Sequence, residues 1–281
     1  MTPRPEAPET AAGRREGPPE LPGPPVVPVQ RTVRYWLVGV LVWVAVRCYV
    51  RLRIEGRERL PAGPAVLCFT HQSWTDPFIL IASLPFRPRL YFFGPKEEDM
   101  AVGARNRLMS WVGTAVPYRP GKNDLLDATR RVGAIFAAGG TLAIAGEGRI
   151  HAGERVVLPL SEGPAFFALR GGVPLVPIAI NGTGWLAFGR TVRVRIGEPI
   201  APSGRPSRER VDTLTAQATA ALTALVADHP DRPSPGRFGR WLTELFNDWP
   251  EGSRPAVPAD SSVAPGASPA TSTGDSSDPA D

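Results

Sequence analysis

From residue 51 to residue 227, short apolar runs of strand length alternate with segments of helical period, and no other feature of the chain constrains its fold as strongly. Residues 65–70 (AVLCFT), 90–93, 112–118, 141–145, 175–180 and 192–196 read as strands. Between them, 76–83, 100–111, 125–138, 162–170 and 208–227 read as helices. Strands apolar on both faces need cover on both faces. The expectation is therefore an α/β fold, a single domain with a mostly parallel mixed sheet covered by helices. Ligands of such sheets gather beyond the carboxyl ends of the strands. No repeat of fixed period is present.

The two ends of the 281-residue chain lie outside this pattern. Nine of the 33 prolines fall in residues 1–30, and residues 251–281 are mostly Ser, Ala, Pro, Gly, Thr and Asp, so both ends read as disordered tails. The first tail carries −1 and the last −4, which leaves +10 on the middle from the overall +5. Only Lys96 and Lys122 contribute as lysines, and the remaining cations are Arg. Guanidinium suits phosphate and anionic lipid or nucleic-acid surfaces; a GC-rich genome would also favour Arg. The basic residues are spread along the chain, which argues against a nucleic-acid-binding module. Cys48 and Cys68 lie in apolar runs and suggest neither a disulfide framework nor a zinc site.

Residues 35–50 (YWLVGVLVWVAVRCYV) are apolar apart from Arg47, and Arg51, Arg53, Arg57 and Arg59 follow. A membrane-spanning helix needs about 20 residues. Two readings fit: a membrane-associated helix over 31–50 with a basic flank on the cytoplasmic side, or a buried core helix. A polar, Pro-rich leader with no small-residue cleavage site argues against a secretory signal. In residues 231–250, Phe238, Trp241, Leu242, Leu245, Phe246 and Trp249 share one helical face. That amphipathic helix suits either a membrane interface or docking on the domain, which the pattern bounds at 51–230.

His71, His151 and His229 are the only histidines, and none has metal-type spacing. His71 follows the strand AVLCFT directly, in a strand-to-helix loop, with Asp76-Pro77 five residues on. Asp before Pro predicts an N-cap at Asp76 with Pro77 opening the helix. With His71 outside the helix, a carboxylate–imidazole hydrogen bond becomes geometrically accessible. It would leave the far ring nitrogen to take a proton from a hydroxyl. The plainer alternative is that Asp76 only caps. Gly146-Glu147-Gly148-Arg149 follows another buried strand. Its glycines permit a tight turn and its Arg offers a forked donor to a phosphate, or the segment is simply a polar turn. Arg119, after Val116-Pro117-Tyr118, admits the same two readings. No GxSxG elbow and no GxxxxGK[ST] loop occurs, so serine hydrolase and P-loop chemistry are set aside.

Taken in order, these blocks resemble the PlsC-like glycerolipid acyltransferases, which include 1-acyl-glycerol-3-phosphate acyltransferases. His71-Gln72-Ser73-Trp74-Thr75-Asp76 resembles the family's HxxxxD block, and Lys96-Glu97-Glu98 its K-x-E segment. Residues 113–119 stand at its acceptor block, and Glu147-Gly148-Arg149-Ile150 resembles its phosphate block. Residues 173–178 (VPLVPI) and 196–200 (IGEPI) resemble its fourth block and a common late strand ending. The likeness spans residues 51–228. The chain departs from the pattern with Ala145-Gly146 where Phe-Pro is usual, with no residue between Gly148 and Arg149, and with Pro117-Tyr118 in the acceptor block. The resemblance implies His71 and Asp76 as catalytic residues, and Glu147, Gly148, Arg149, Arg119, Lys96 and Gly113 as substrate-binding ones. It also implies acyl-CoA or acyl-carrier protein as donor substrate, no cofactor or metal, and membrane lipids as partners at the cytoplasmic face of the cell membrane. A non-catalytic, membrane-associated relative is the rival reading. No residue pattern specifies an oligomer.

Overall fold

Seven strands hydrogen-bond into one sheet in the computed structural model, which describes residues 32–95, 111–118, 124–151, 153–185, 187–229 and 236–246. The strands are β1 (Arg51–Glu55), β2 (Val66–Phe69), β3 (Leu90–Pro95), β4 (Ala115–Tyr118), β5 (Thr141–Ala145), β6 (Leu175–Asn181) and β7 (Thr191–Ile196). Their order is β1-β7-β6-β2-β5-β3-β4. The five strands from β6 to β4 all run parallel, while β7 is antiparallel to β6 and parallel to β1. The sheet is thus mixed and mostly parallel, as the alternating pattern predicts. The described helices are α1 (Thr32–Tyr49), α2 (Asp76–Ser83), α3 (Asp124–Ala137), α4 (Gly163–Gly171), α5 (Arg208–Ala227) and α6 (Arg237–Phe246). Both tails and most of the helix expected over 100–111 lie outside the described residues.

Alternation along β2 divides the core. Val66 and Cys68 join Ile135 of α3, Phe167 of α4 and Leu214 of α5 on one face. Leu67 and Phe69 join Ile79 and Leu80 of α2 on the other. Each fully buried Leu or Ile stabilises the fold by about 1.5–3 kcal/mol. Burial on both faces explains why β2 and β6 read as unbroken apolar runs.

Strand β1 falls where the sequence suggests a basic flank. Its RLRIE run alternates exposed Arg51, Arg53 and Glu55 with half-buried Leu52 and Ile54, the period of a strand with one covered face. Some of those cations serve the fold: Arg59 pairs with Glu198 at 2.8 Å and donates to the Ile196 carbonyl at 2.9 Å.

Helix α1 covers most of residues 35–50. One side packs on the domain: Tyr35 is buried and its hydroxyl accepts the Leu90 N–H at 3.3 Å, Trp36 meets Phe86, and Val46 and Val50 enter the α2-side core. Val33, Leu37, Val40, Leu41 and Val44 form an exposed stripe at helical spacing, flanked by Trp36 and Trp43. No described helix is long and apolar enough to cross a membrane.

Candidate active site

Parallel pairing of β2 with β5 sets the residues after both strands at one edge of the sheet. Thr70 extends the β2 ladder, its hydroxyl accepting the Ile180 N–H at 2.9 Å, and His71 comes next. The chain then folds back on itself. His71 Nδ1 lies 3.0 Å from Asp76 Oδ2, and the same oxygen accepts the backbone N–H groups of Gln72 at 2.8 Å and Ser73 at 2.9 Å. The Asp76 side chain is fully buried, while that of His71 keeps 17% of its surface exposed.

This geometry settles the tautomer. An ionised carboxylate only accepts, so Nδ1 carries the proton and Nε2 is left with a free lone pair. Phe69 packs edge-on against the ring and limits its rotation. The N-cap of α2 is Thr75, one residue before the expected position, with Asp76 and Pro77 in the first turn. The physical reason is the carboxylate's direction: it turns back to the loop amides and the imidazole instead of capping its own helix.

After β5, the turn over residues 146–149 lies beside His71. Burial pushes the Cys68 thiol up to about 12, and the Glu147 carboxylate adds to the rise. A Cβ on Gly146 would lie 2.7 Å from Cys68 Sγ and 2.9 Å from Leu160 Cδ2, so no larger residue fits without displacement. The departure from Phe-Pro at residues 145–146 therefore has a local cause in how Cys68 and Leu160 fill that space. Gly148 has a φ of 66°, a left-handed turn that leaves Arg149 exposed.

Glu147 stands differently from its expected substrate-binding role. Its side chain is fully buried. Oε2 accepts the His71 N–H at 2.9 Å, and Oε1 meets His151 Nε2 at 2.7 Å and the Leu158 N–H at 3.0 Å. With both oxygens taken up by the protein, the carboxylate braces the loop that carries His71. The signal in the sequence was His151, four residues after Glu147. Further along this excursion, Glu154 contacts His229 at 2.5 Å and Asn181 Nδ2 donates to the Glu154 carbonyl at 2.5 Å, which ties the loop to the end of α5 and to β6.

The other expected residues divide into two groups. Gly113 sits before β4, at the opposite edge of the sheet from His71, in a left-handed turn with a φ of 75° whose carbonyl accepts from Arg89 at 3.4 Å. It is therefore a turn residue remote from the carboxyl edge. Lys96 and Arg119, directly after β3 and β4, lie outside the described residues, as do Glu97 and Glu98. Among the described residues, no three His, Cys, Asp or Glu side chains gather to hold a metal ion.

An imidazole held by a buried carboxylate at the carboxyl edge of an α/β sheet is an arrangement that can serve as a general base toward a hydroxyl. Residues 51–181 match the family model described as Acyltransferase. A chloroplastic 1-acyl-sn-glycerol-3-phosphate acyltransferase from Brassica napus is 26% identical over 157 residues, which are 55% of this chain and 44% of that protein. The chain thus spans less than half the length of that relative. The crystal structure of the 1-acyl-sn-glycerophosphate acyltransferase PlsC from Thermotoga maritima superposes with a TM-score of 0.55 at 19% identity, covering 71% of this chain and 81% of that one, a likeness of fold. Over residues 51–181 the chain is thus similar to acyltransferases.

Proposed function

We propose that the protein is a glycerolipid O-acyltransferase that moves a fatty acyl group from the thioester of acyl-CoA or acyl-carrier protein to the hydroxyl of a lysophospholipid, 1-acyl-glycerol-3-phosphate foremost. The observation that carries this reading is the 3.0 Å contact between His71 Nδ1 and the buried Asp76 carboxylate. Nε2 takes the proton of the acceptor hydroxyl as its oxygen attacks the thioester carbon. A C–O bond forms, the C–S bond breaks, and the proton passes from the imidazolium to the departing thiolate. The buried Asp76 charge stabilises the imidazolium between the two steps. Exposed Arg149 supplies a forked donor for the acceptor's phosphate, and Arg119 and Lys96 are assigned the same partner.

Membrane lipids reach such a site from a surface. The exposed apolar stripe of α1, with exposed Phe238 and Trp241 on α6, supports docking on the cytoplasmic face of the cell membrane. Exposed Arg47, Arg51 and Arg53 would meet anionic headgroups. Phe238 and Trp241 belong to the aromatic face expected near the carboxyl end, whose Trp249 lies outside the described residues.

The test is an assay of the full chain in lipid vesicles, with lysophospholipid and glycolipid acceptors offered against acyl-CoA and acyl-carrier protein, and products read by mass spectrometry. Acylation of a lysophospholipid by wild type and its loss in folded His71→Ala supports the reading. A glycolipid product would move the acceptor assignment. Turnover by His71→Ala above about a tenth of wild type refutes general-base catalysis.

A further inference from the structure

His151 belongs to none of the blocks on which the family likeness rests, yet it touches His71 through two routes. Its own N–H donates to the His71 carbonyl at 3.2 Å. Its ring Nδ1 accepts the Gly153 N–H at 3.2 Å, so that nitrogen is unprotonated and Nε2 carries the hydrogen directed at Glu147 Oε1, 2.7 Å away. Glu147 Oε2 in turn accepts the His71 N–H at 2.9 Å. The peptide N–H and C=O of His71 are thus both held by the segment from Glu147 to His151, while the ring is held by Asp76. The His151 side chain keeps 7% of its surface exposed and that of Glu147 none, so neither is a free surface group.

We propose that His151, fixed as its Nε2–H tautomer, is a positioning residue that orients Glu147 and so clamps the His71 backbone in the geometry general-base transfer requires. The proposal rests on the acyl-transfer reading given above and assigns this pair a role apart from substrate. Without the His151 donor, what fixes the plane of the Glu147 carboxylate is gone, and its hydrogen bonds to the His71 and Leu158 N–H groups open more readily. A base displaced by a fraction of an ångström loses rate without losing substrate affinity.

The experiment uses the full chain with His151→Ala, His151→Gln, Glu147→Gln and the Glu147→Gln/His151→Ala double variant. In His151→Ala, kcat falls about 10- to 100-fold while KM for donor and for acceptor each stay within about twofold. His151→Gln, whose amide can donate to Glu147, recovers most of the loss. The double variant loses no more than the worse single variant, because the two residues act as one unit. Hydrogen exchange of the His71 amide, read without any substrate, accelerates about tenfold or more in His151→Ala, while the Ala143 amide in β5 is unchanged. Unchanged His71 exchange overturns the clamp whatever the activity. A kcat within about twofold of wild type, or losses that multiply in the double variant, overturns the positioning role. Failure of the acyl-transfer reading is separate: it appears as no turnover by wild type, and the exchange measurement still decides the clamp.

Discussion

Asp76→Asn separates the two services that the buried carboxylate performs. Oδ2 receives three donors: His71 Nδ1–H, Gln72 N–H and Ser73 N–H. The two backbone donors belong to the loop itself and demand an acceptor at that position. An asparagine oxygen therefore takes the Oδ2 place, and its amide nitrogen takes the Oδ1 place. The correct tautomer survives, and what disappears is the negative charge facing the imidazolium. A full charge about 4 Å from the centre of the imidazolium, at an effective dielectric near 20, stabilises it by about 4 kcal/mol. With the carboxylate fully buried, screening by salt is weak. Loss of about 4 kcal/mol corresponds to about a thousandfold fall in kcat. The assay follows thiol release in vesicles with saturating acceptor, and a thermal melt shows that the variant is folded. A loss of less than about tenfold in a folded variant refutes the imidazolium argument. Asp76→Ala goes further, because it also strands the Gln72 and Ser73 amides at about 1–3 kcal/mol each, and its melting temperature falls accordingly.

Arg149→Lys keeps the charge and removes the fork, so KM for a phosphate-bearing acceptor rises more than KM for the thioester; the reverse split, measured with each substrate varied in turn, moves the phosphate role elsewhere. Gly146→Ala forces a Cβ to within 2.7 Å of Cys68 Sγ and 2.9 Å of Leu160 Cδ2. It should destabilise the fold by about 1–3 kcal/mol in denaturant titrations, with part of the loss recovered in Gly146→Ala/Cys68→Ala. Leu37→Glu/Leu41→Glu charges only the outer stripe of α1 and should release the protein from vesicles in a flotation assay without lowering its melting temperature; undiminished flotation removes α1 from the membrane contact.

How much of this was legible in the sequence follows from how local each cause is. Helix α2 at Asp76–Ser83, helix α5 at Arg208–Ala227 and strand β5 at Thr141–Ala145 stand where periodicity and turn residues predict them. Their signals lie within the segment itself. The His71–Asp76 contact was accessible because five residues and one turn contain all its parts. Strand β1 was hidden by its arginines, which read as a basic flank although Leu52 and Ile54 keep the period of a strand. The Cys68, Gly146 and Leu160 fit joins residues up to 92 positions apart through the pairing of β2 with β5, and no local pattern encodes it. Glu147 stood as a substrate ligand through the family resemblance, and only the fold reveals that His71 and Leu158 donate to it from elsewhere.

The same loop supplies a reason for the direction of these departures. The sheet holds β2 and β5 side by side, but a strand end alone leaves the peptide after it free to swing. Thr70 anchors one side of that peptide to β6, and the 147–151 turn holds His71 itself. Glu154 and Asn181 then tie the far end of the excursion back to the sheet, and His229 ties it to the end of α5. Buried carboxylates cost several kcal/mol to desolvate, and donors to their oxygens offset that cost; Asp76 gathers its three donors on Oδ2, while Oδ1 is buried without a hydrogen-bond partner. Here the donors to Asp76 and Glu147 are the amides and imidazoles of the loops they organise. The cost of burial is therefore offset by the same hydrogen bonds that fix the base, and a carboxylate used in this way is unavailable to a substrate. On the proposed acyl-transfer reading, an anionic acceptor would be met by groups that the loop leaves exposed, among which Arg149 is the one nearest in sequence to the clamp.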